Sequence, residues 1–240
     1  MLEHQPTPNA NRHDVQVLDT LVAMQRLADY IGRHGYHWWT SGEIAQDRTQ
    51  HLVRKFATLY GTDLHRNTRS RRKQSGAGAA ILLIYRLPRK VTRIEFNESG
   101  KNTVWWTLLV TDGRHSAFDR ESLKDAHSVE GRFTVGQYQL VRATRPGQAK
   151  PVWTFKMLPS YYDEYRQRVI RSARGDPREC VSRLLHELYT EPGWRPIRSA
   201  VGRIVCLYRR EWRKRRGRHE IFPKLPRLGY VQRLANHSAR

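Results

Sequence analysis

The order of patterns along this chain predicts an α+β fold. The expected architecture is an antiparallel sheet of about five strands, flanked by an N-terminal helix pair and a C-terminal three-helix segment. Three observations carry that expectation. Apolar residues recur at helical spacing near both ends of the chain. Short apolar or alternating runs fill the middle, between residues 80 and 158. Glycine, proline and the Asp112-Gly113 pair separate those runs.

Taken in order, residues 1–12 are polar, carry Pro6 and Pro8, and read as a flexible tail. Residues 13–60 read as a helical pair. In the first helix Val15, Leu18, Leu21, Val22, Leu27 and Ile31 make one stripe, closed by Gly32 and Gly35. Thr40 stands three residues before Glu43, the spacing of a capping box. A second helix is therefore expected from there to about Tyr60, with Ile44, Leu52, Phe56 and Leu59 inward and Gly61 as its stop. Two helices joined by a short turn can form a helix-turn-helix, although Trp38 and Trp39 are bulky for such a turn.

Residues 61–79 read as a basic Gly/Ser loop, and 80–158 as a mixed β-sheet region. Its strands are expected at 80–87, 91–96 and 104–111, followed by a short helix at 116–126. A hairpin then pairs 133–144 with 151–158 across RPGQAK. Residues 159–218 form the C-terminal helical region, with helices at about 160–174, 177–190 and 196–216. In the last of these Ile197, Val201, Ile204, Tyr208 and Trp212 share one side, and Pro196 suits a first helical turn. Residues 219–240 read as a basic, proline-interrupted tail that packs back along the surface.

Composition narrows the function classes. The chain has 240 residues and a formal charge of +22, with 35 of its 44 cationic residues arginine. Self-repulsion at that density is relieved by an anion, and nucleic acid is the usual one. The bias to arginine has two sources. Guanidinium forks suit phosphate, and a GC-rich genome enriches arginine codons with no functional reason. No apolar run reaches the roughly 18 residues of a membrane span, and the N-terminus has no signal-like apolar stretch. The cytosol is the expected compartment and no membrane partner is expected. Cys180 and Cys206 have neither metal nor redox spacing and read as buried thiols.

Two clusters carry the positive charge. The first is Arg66, Arg69, Arg71, Arg72 and Lys73, within eight residues and followed by Gly76 and Gly78. It is not a Walker A loop, because its glycines precede a strand and no Lys-Ser/Thr pair follows them. It reads instead as a basic loop that orders on phosphate, or as a solvated linker. The second cluster is Arg209, Arg210, Arg213, Lys214, Arg215 and Arg216, around Trp212, with Glu211 the only acid among them. Two or three such charges suit the negative end of a helix dipole; six in eight residues point to a polyanion.

The expected function is nucleic-acid binding, to DNA or RNA, through phosphate contacts at these two clusters. Protein partners in a nucleoprotein complex are compatible with it, and maintenance of a bacterial plasmid or mobile element fits such a chain. No RRM, KH, OB or zinc-finger signature is reproduced. A scaffold docking an acidic protein partner is a further reading.

A phosphodiester-cleaving enzyme is the rival from another class. Tyr161 and Tyr165 lie four apart on one helix face, as paired nucleophiles of DNA-nicking enzymes do, yet the His-hydrophobe-His metal motif of those enzymes is absent. Asp112, Asp119, Glu121 and Asp125 cluster after a strand and are candidates to hold Mg²⁺, or to cap the short helix that follows. The eleven histidines form no metal-binding spacing, so no metal and no cofactor is expected.

Overall fold

β-Branched and aromatic residues without helical spacing drive the middle of the chain into strands, and in the computed structural model these form two separate sheets. The structure describes residues 16–87, 103–144, 147–217 and 219–227. The chain divides into two units, Met1–Arg132 and Phe133–Arg240. The α+β class stands, but the expected sheet region 80–158 is cut between the units rather than forming one sheet.

The first unit holds β1 (Val17–Leu18), α1 (Thr20–Arg33), β2 (Trp38–Ala45), a 3₁₀ turn (Gln46–Arg48), α2 (Thr49–Tyr60) and α3 (Arg66–Gln74). It continues with β3 (Ala80–Tyr85), β4 (Thr103–Val110), α4 (Ala117–Arg120) and β5 (Lys124–Asp125). The strands lie in the order β1-β3-β4-β2-β5. All neighbours are antiparallel except β1 and β3, so the sheet is mixed rather than antiparallel throughout.

Four expectations for this unit are corrected. The segment from Trp38 to Ala45 is a strand paired with β4 along its whole length, so Thr40 and Glu43 cap no helix. That intervening strand separates α1 from α2 and removes the helix-turn-helix. The first helix starts at Thr20, so Leu18 belongs to β1, and α1 buries Ala23, Met24, Leu27 and Ile31. Leu21 is exposed. The short helix expected at 116–126 spans only Ala117–Arg120 and gives way to β5. The expected strand 91–96 and tail 1–12 lie outside the described residues.

Packing explains why β2 overrides its helical signal. Gly42 stands opposite Trp106, and a Cβ at Gly42 would come within 2.9 Å of the indole. Only glycine lets that ring lie across the strand. Trp106 also meets Phe56 of α2 edge-on, and α2 buries Leu52, Phe56 and Tyr60 against Ala80, Leu108 and Val110. Each such large apolar side chain stabilises by roughly 1.5–3 kcal/mol on burial.

The second unit holds β6 (Thr134–Val135), β7 (Tyr138–Thr144), β8 (Pro151–Met157), α5 (Pro159–Gly175), α6 (Arg178–Tyr189) and α7 (Arg195–Arg216). β7 and β8 form the expected hairpin, with β6 beside β7. α7 buries Ile197, Ala200, Val201, Ile204, Val205, Tyr208 and Trp212, the stripe read from its spacing. The following segment returns over this helix, where Phe222 meets Tyr208 and Trp212 edge-on. The thiols are not both buried: Cys180 is half-buried and Cys206 exposed. Among the described residues no helix is long and apolar enough to cross a membrane.

Candidate nucleic-acid interface

The basic segment 66–73 is a helix, not a loop. α3 has the sequence RNTRSRRKQ and buries none of its residues. A helix this short is marginal on its own, and adjacent cations repel along it. Local bonds hold it. The His65 imidazole accepts from the Asn67 backbone N–H at 3.3 Å, capping the start. Arg72 Nε donates to Gly78 O at 3.1 Å. Lys73 Nζ donates to His34 O at 3.3 Å and lies 5.2 Å from the centre of the Tyr36 ring.

Arg72 and Lys73 are thus tethers with charged ends. Arg66, Arg69 and Arg71 pair with no acid among the described residues. Arg66, Arg69 and Lys73 fall on one face by their spacing. Their field is legible at His34: burial lowers its pKa, and Lys73 and Arg66 lower it further. Burial pushes the Tyr36 phenol up, while the Arg69 charge opposes that rise.

At the end of α7 the six cations part into two groups. Arg216 is structural. Its Nε donates to Ala173 O at 3.3 Å, Nη1 meets Glu220 at 3.0 Å and Nη2 donates to Asp176 O. Its guanidinium also lies 4.1 Å from the centre of the Trp212 ring. Trp212 is fully buried and donates from Nε1 to Glu220 O at 3.1 Å, so it belongs to the core and offers no face to a base. Both residues leave the proposed interface for that reason.

Arg209 lies over Phe222 with its side chain toward solvent. Glu211 draws Lys214 to 3.3 Å and Arg210 to 3.7 Å. Arg213 and Arg215 are exposed and pair with no acid among the described residues. A groove between α5 and α6 adds cations that sequence reasoning missed. Arg168, Arg171 and Arg183 line it with Asp176 and Glu187. Arg168 is bound there to Glu187 by two hydrogen bonds, at 2.8 and 2.9 Å.

The catalytic candidates are engaged otherwise. Tyr161 and Tyr165 donate to Glu191 at 3.0 and 2.7 Å, and Tyr138 donates to the same carboxylate. Burial first, then the Glu191 charge, raises all three phenols far above the ordinary tyrosine range. An oxygen held protonated in this way is a poor nucleophile. The four acids do not gather at one point, although Asp112 and Asp125 both lie beside His37. Asp119 is exposed, Glu121 accepts from the Tyr60 hydroxyl, and Asp112 accepts from Trp38 Nε1 at 2.9 Å.

Asp125 turns instead toward His127 and His37, and the ligand-type atoms of these three lie within 4.8 Å of one another. Sequence spacing could not show this gathering, since His37 is far from the other two along the chain. Its one local signal is Asp125 and His127 two apart on an edge strand and its turn.

No protein-family model, curated protein or solved structure matches this chain. The functional reading therefore rests on the chemistry of these surfaces.

Proposed function

We propose that this protein binds nucleic acid, DNA or RNA, through the phosphate backbone. α3 supplies the contact in the first unit, and Arg209, Arg210, Arg213, Lys214 and Arg215 supply it in the second. The observation that carries this reading is a nine-residue helix that buries nothing and aligns cations without acidic partners. A helix kept for the core would turn an apolar face inward; α3 has none. Phosphate oxygens are the groups that guanidinium forks bind in pairs.

The aromatics refine the proposal. None of the seven tryptophans is exposed. Stacking platforms for unpaired bases are therefore scarce, and contacts to phosphate position a protein without reading sequence. Weak sequence preference follows.

The test is binding of fluorescent single-stranded DNA, duplex DNA and RNA across a salt series. For duplex DNA, replacing Arg66, Arg69 and Arg71 together by Gln should lower the salt slope by about 2–3, at roughly 0.9 per phosphate contact. An unchanged slope removes α3 from the interface. Absence of binding to every nucleic acid at physiological salt favours docking of an acidic protein instead.

A further inference from the structure

We infer that His37, Asp125 and His127 form a binding site for a divalent transition-metal ion of the zinc class. The inference is independent of the nucleic-acid reading. Among the described residues this is the one gathering of three ligand-type side chains. Two imidazoles and one carboxylate are the donor set of zinc sites that keep a position open to solvent. Imidazole nitrogens disfavour Mg²⁺ and Ca²⁺, which take oxygen ligands.

The surroundings orient the donors as a metal site requires. His37 Nδ1 lies 3.2 Å from Gly35 O, so that nitrogen carries the proton and donates. Its Nε2 faces Asp112 Oδ1 at 3.3 Å, and a metal would bind there in place of a proton shared with that carboxylate, with Nδ1 held as is usual for ligating histidines. The ring is largely buried and stacks on His127 with centroids 4.5 Å apart. Asp125 Oδ1 accepts from the His127 backbone N–H at 2.9 Å, which holds the carboxylate on the histidine side of the turn.

The backbone fixes these positions relative to one another. Ala126 N donates to His37 O at 2.8 Å, locking the β5 turn to the start of β2. Trp39 Nε1 donates to Gly131 O at 2.7 Å, and Gly131 N donates to Ser128 Oγ at 2.8 Å. A Cβ at Gly131 would lie 2.0 Å from Asp125 O, so the turn admits only glycine there.

Asp112 completes the setting. Its Oδ1 lies 3.3 Å from His37 Nε2, and its side chain is largely exposed. From that place it can accept a hydrogen bond from a metal-bound water. Tetrahedral zinc sets its donors about 3.3 Å apart, given bonds of roughly 2.0–2.1 Å. The three donors must therefore close inward. His127 can supply that movement, because its half-exposed side chain sits on a turn.

The experiment is zinc uptake by the chelator-treated full chain, followed by calorimetric titration, with Co²⁺ absorption reporting the ligand field. Wild type should take one equivalent more than His127→Asn. Asp125→Asn should bind about ten-fold more weakly or worse. Asp119→Asn, at an exposed acid outside the three donors, should bind as wild type does, and excess Mg²⁺ should not compete. His127→Asn should keep the thermal midpoint of the metal-free protein near that of wild type, since its side chain is half-exposed. The proposal is overturned if His127→Asn and Asp125→Asn bind zinc as wild type does, or if wild type binds none.

Discussion

His115 shows how one side chain can join two helices, and what protonation then costs. Its Nδ1 accepts from the Ala117 backbone N–H at 3.1 Å, which opens α4. Its Nε2 donates to Tyr60 O at 3.2 Å, satisfying a carbonyl at the end of α2. The ring is therefore bound as one neutral tautomer. Burial lowers its pKa from the ordinary 6.5, the bond to Tyr60 O opposes that, and Arg72 adds to the lowering. A group depressed in the folded state contributes stability that is fully present above the unfolded value of 6.5. That contribution is lost as pH falls through the lower folded value. Imidazole NMR should show a His115 midpoint below 6.5, and denaturant stability should fall on acidification over that window. His115→Gln should flatten the fall, and a midpoint at or above the ordinary value would contradict the neutral tautomer.

At the scale of elements, α3 sets stability against the binding proposed for it. Arg69 has Arg66 and Arg72 three residues away and Lys73 four away, all of its own sign. Like charges at those spacings cost about 0.2–0.5 kcal/mol each in an exposed helix. Arg69→Gln should thus stabilise the protein by roughly 0.5–1.5 kcal/mol at low ionic strength, fading as salt screens the helix. The same substitution should weaken nucleic-acid binding. Loss of stability instead would mean that Arg69 holds the fold. Why sequence reasoning took α3 for a loop follows from the same composition. It has no apolar period, and its anchors, His34 O and Gly78 O, become neighbours only in the fold. The helices of 159–216 were legible because each carries a 3.6-residue stripe, and the hairpin because its strands alternate. β2 was misread since Thr40 and Glu43 imitate a cap, while the pairing with β4 that decides the matter is distant in sequence. The same distance hid the His37 cluster. The cationic segments were legible as composition, but not which members the fold uses: Arg216 and Trp212 are spent on closing α7.

Across the whole molecule the charge is unevenly shared. The unit Phe133–Arg240 carries 24 of the 44 cationic residues but only eight of the 22 acids, a formal charge of +16. The first unit carries the remaining +6, with α3 as its densest cluster. On the proposed function, long-range attraction of a polyanion would come mainly from the second unit and would act on association rate. The contacts proposed for α3 are local, and their loss should appear in dissociation. Reversing Arg213, Lys214 and Arg215 to Glu should slow association at low salt and flatten the salt slope of the affinity. Lys214 has a second consequence, since a carboxylate there faces Glu211 in place of the present 3.3 Å pair. Lys214→Gln is the cleaner change at that position. Independent sites contribute additively when they share no partner. If one nucleic acid spans both surfaces, the slope lost on combining the α3 and α7 substitutions should equal the sum of the separate losses. If the combined variant loses no more than one of them alone, only that surface touches the phosphates, and the charge of the other unit serves attraction at a distance.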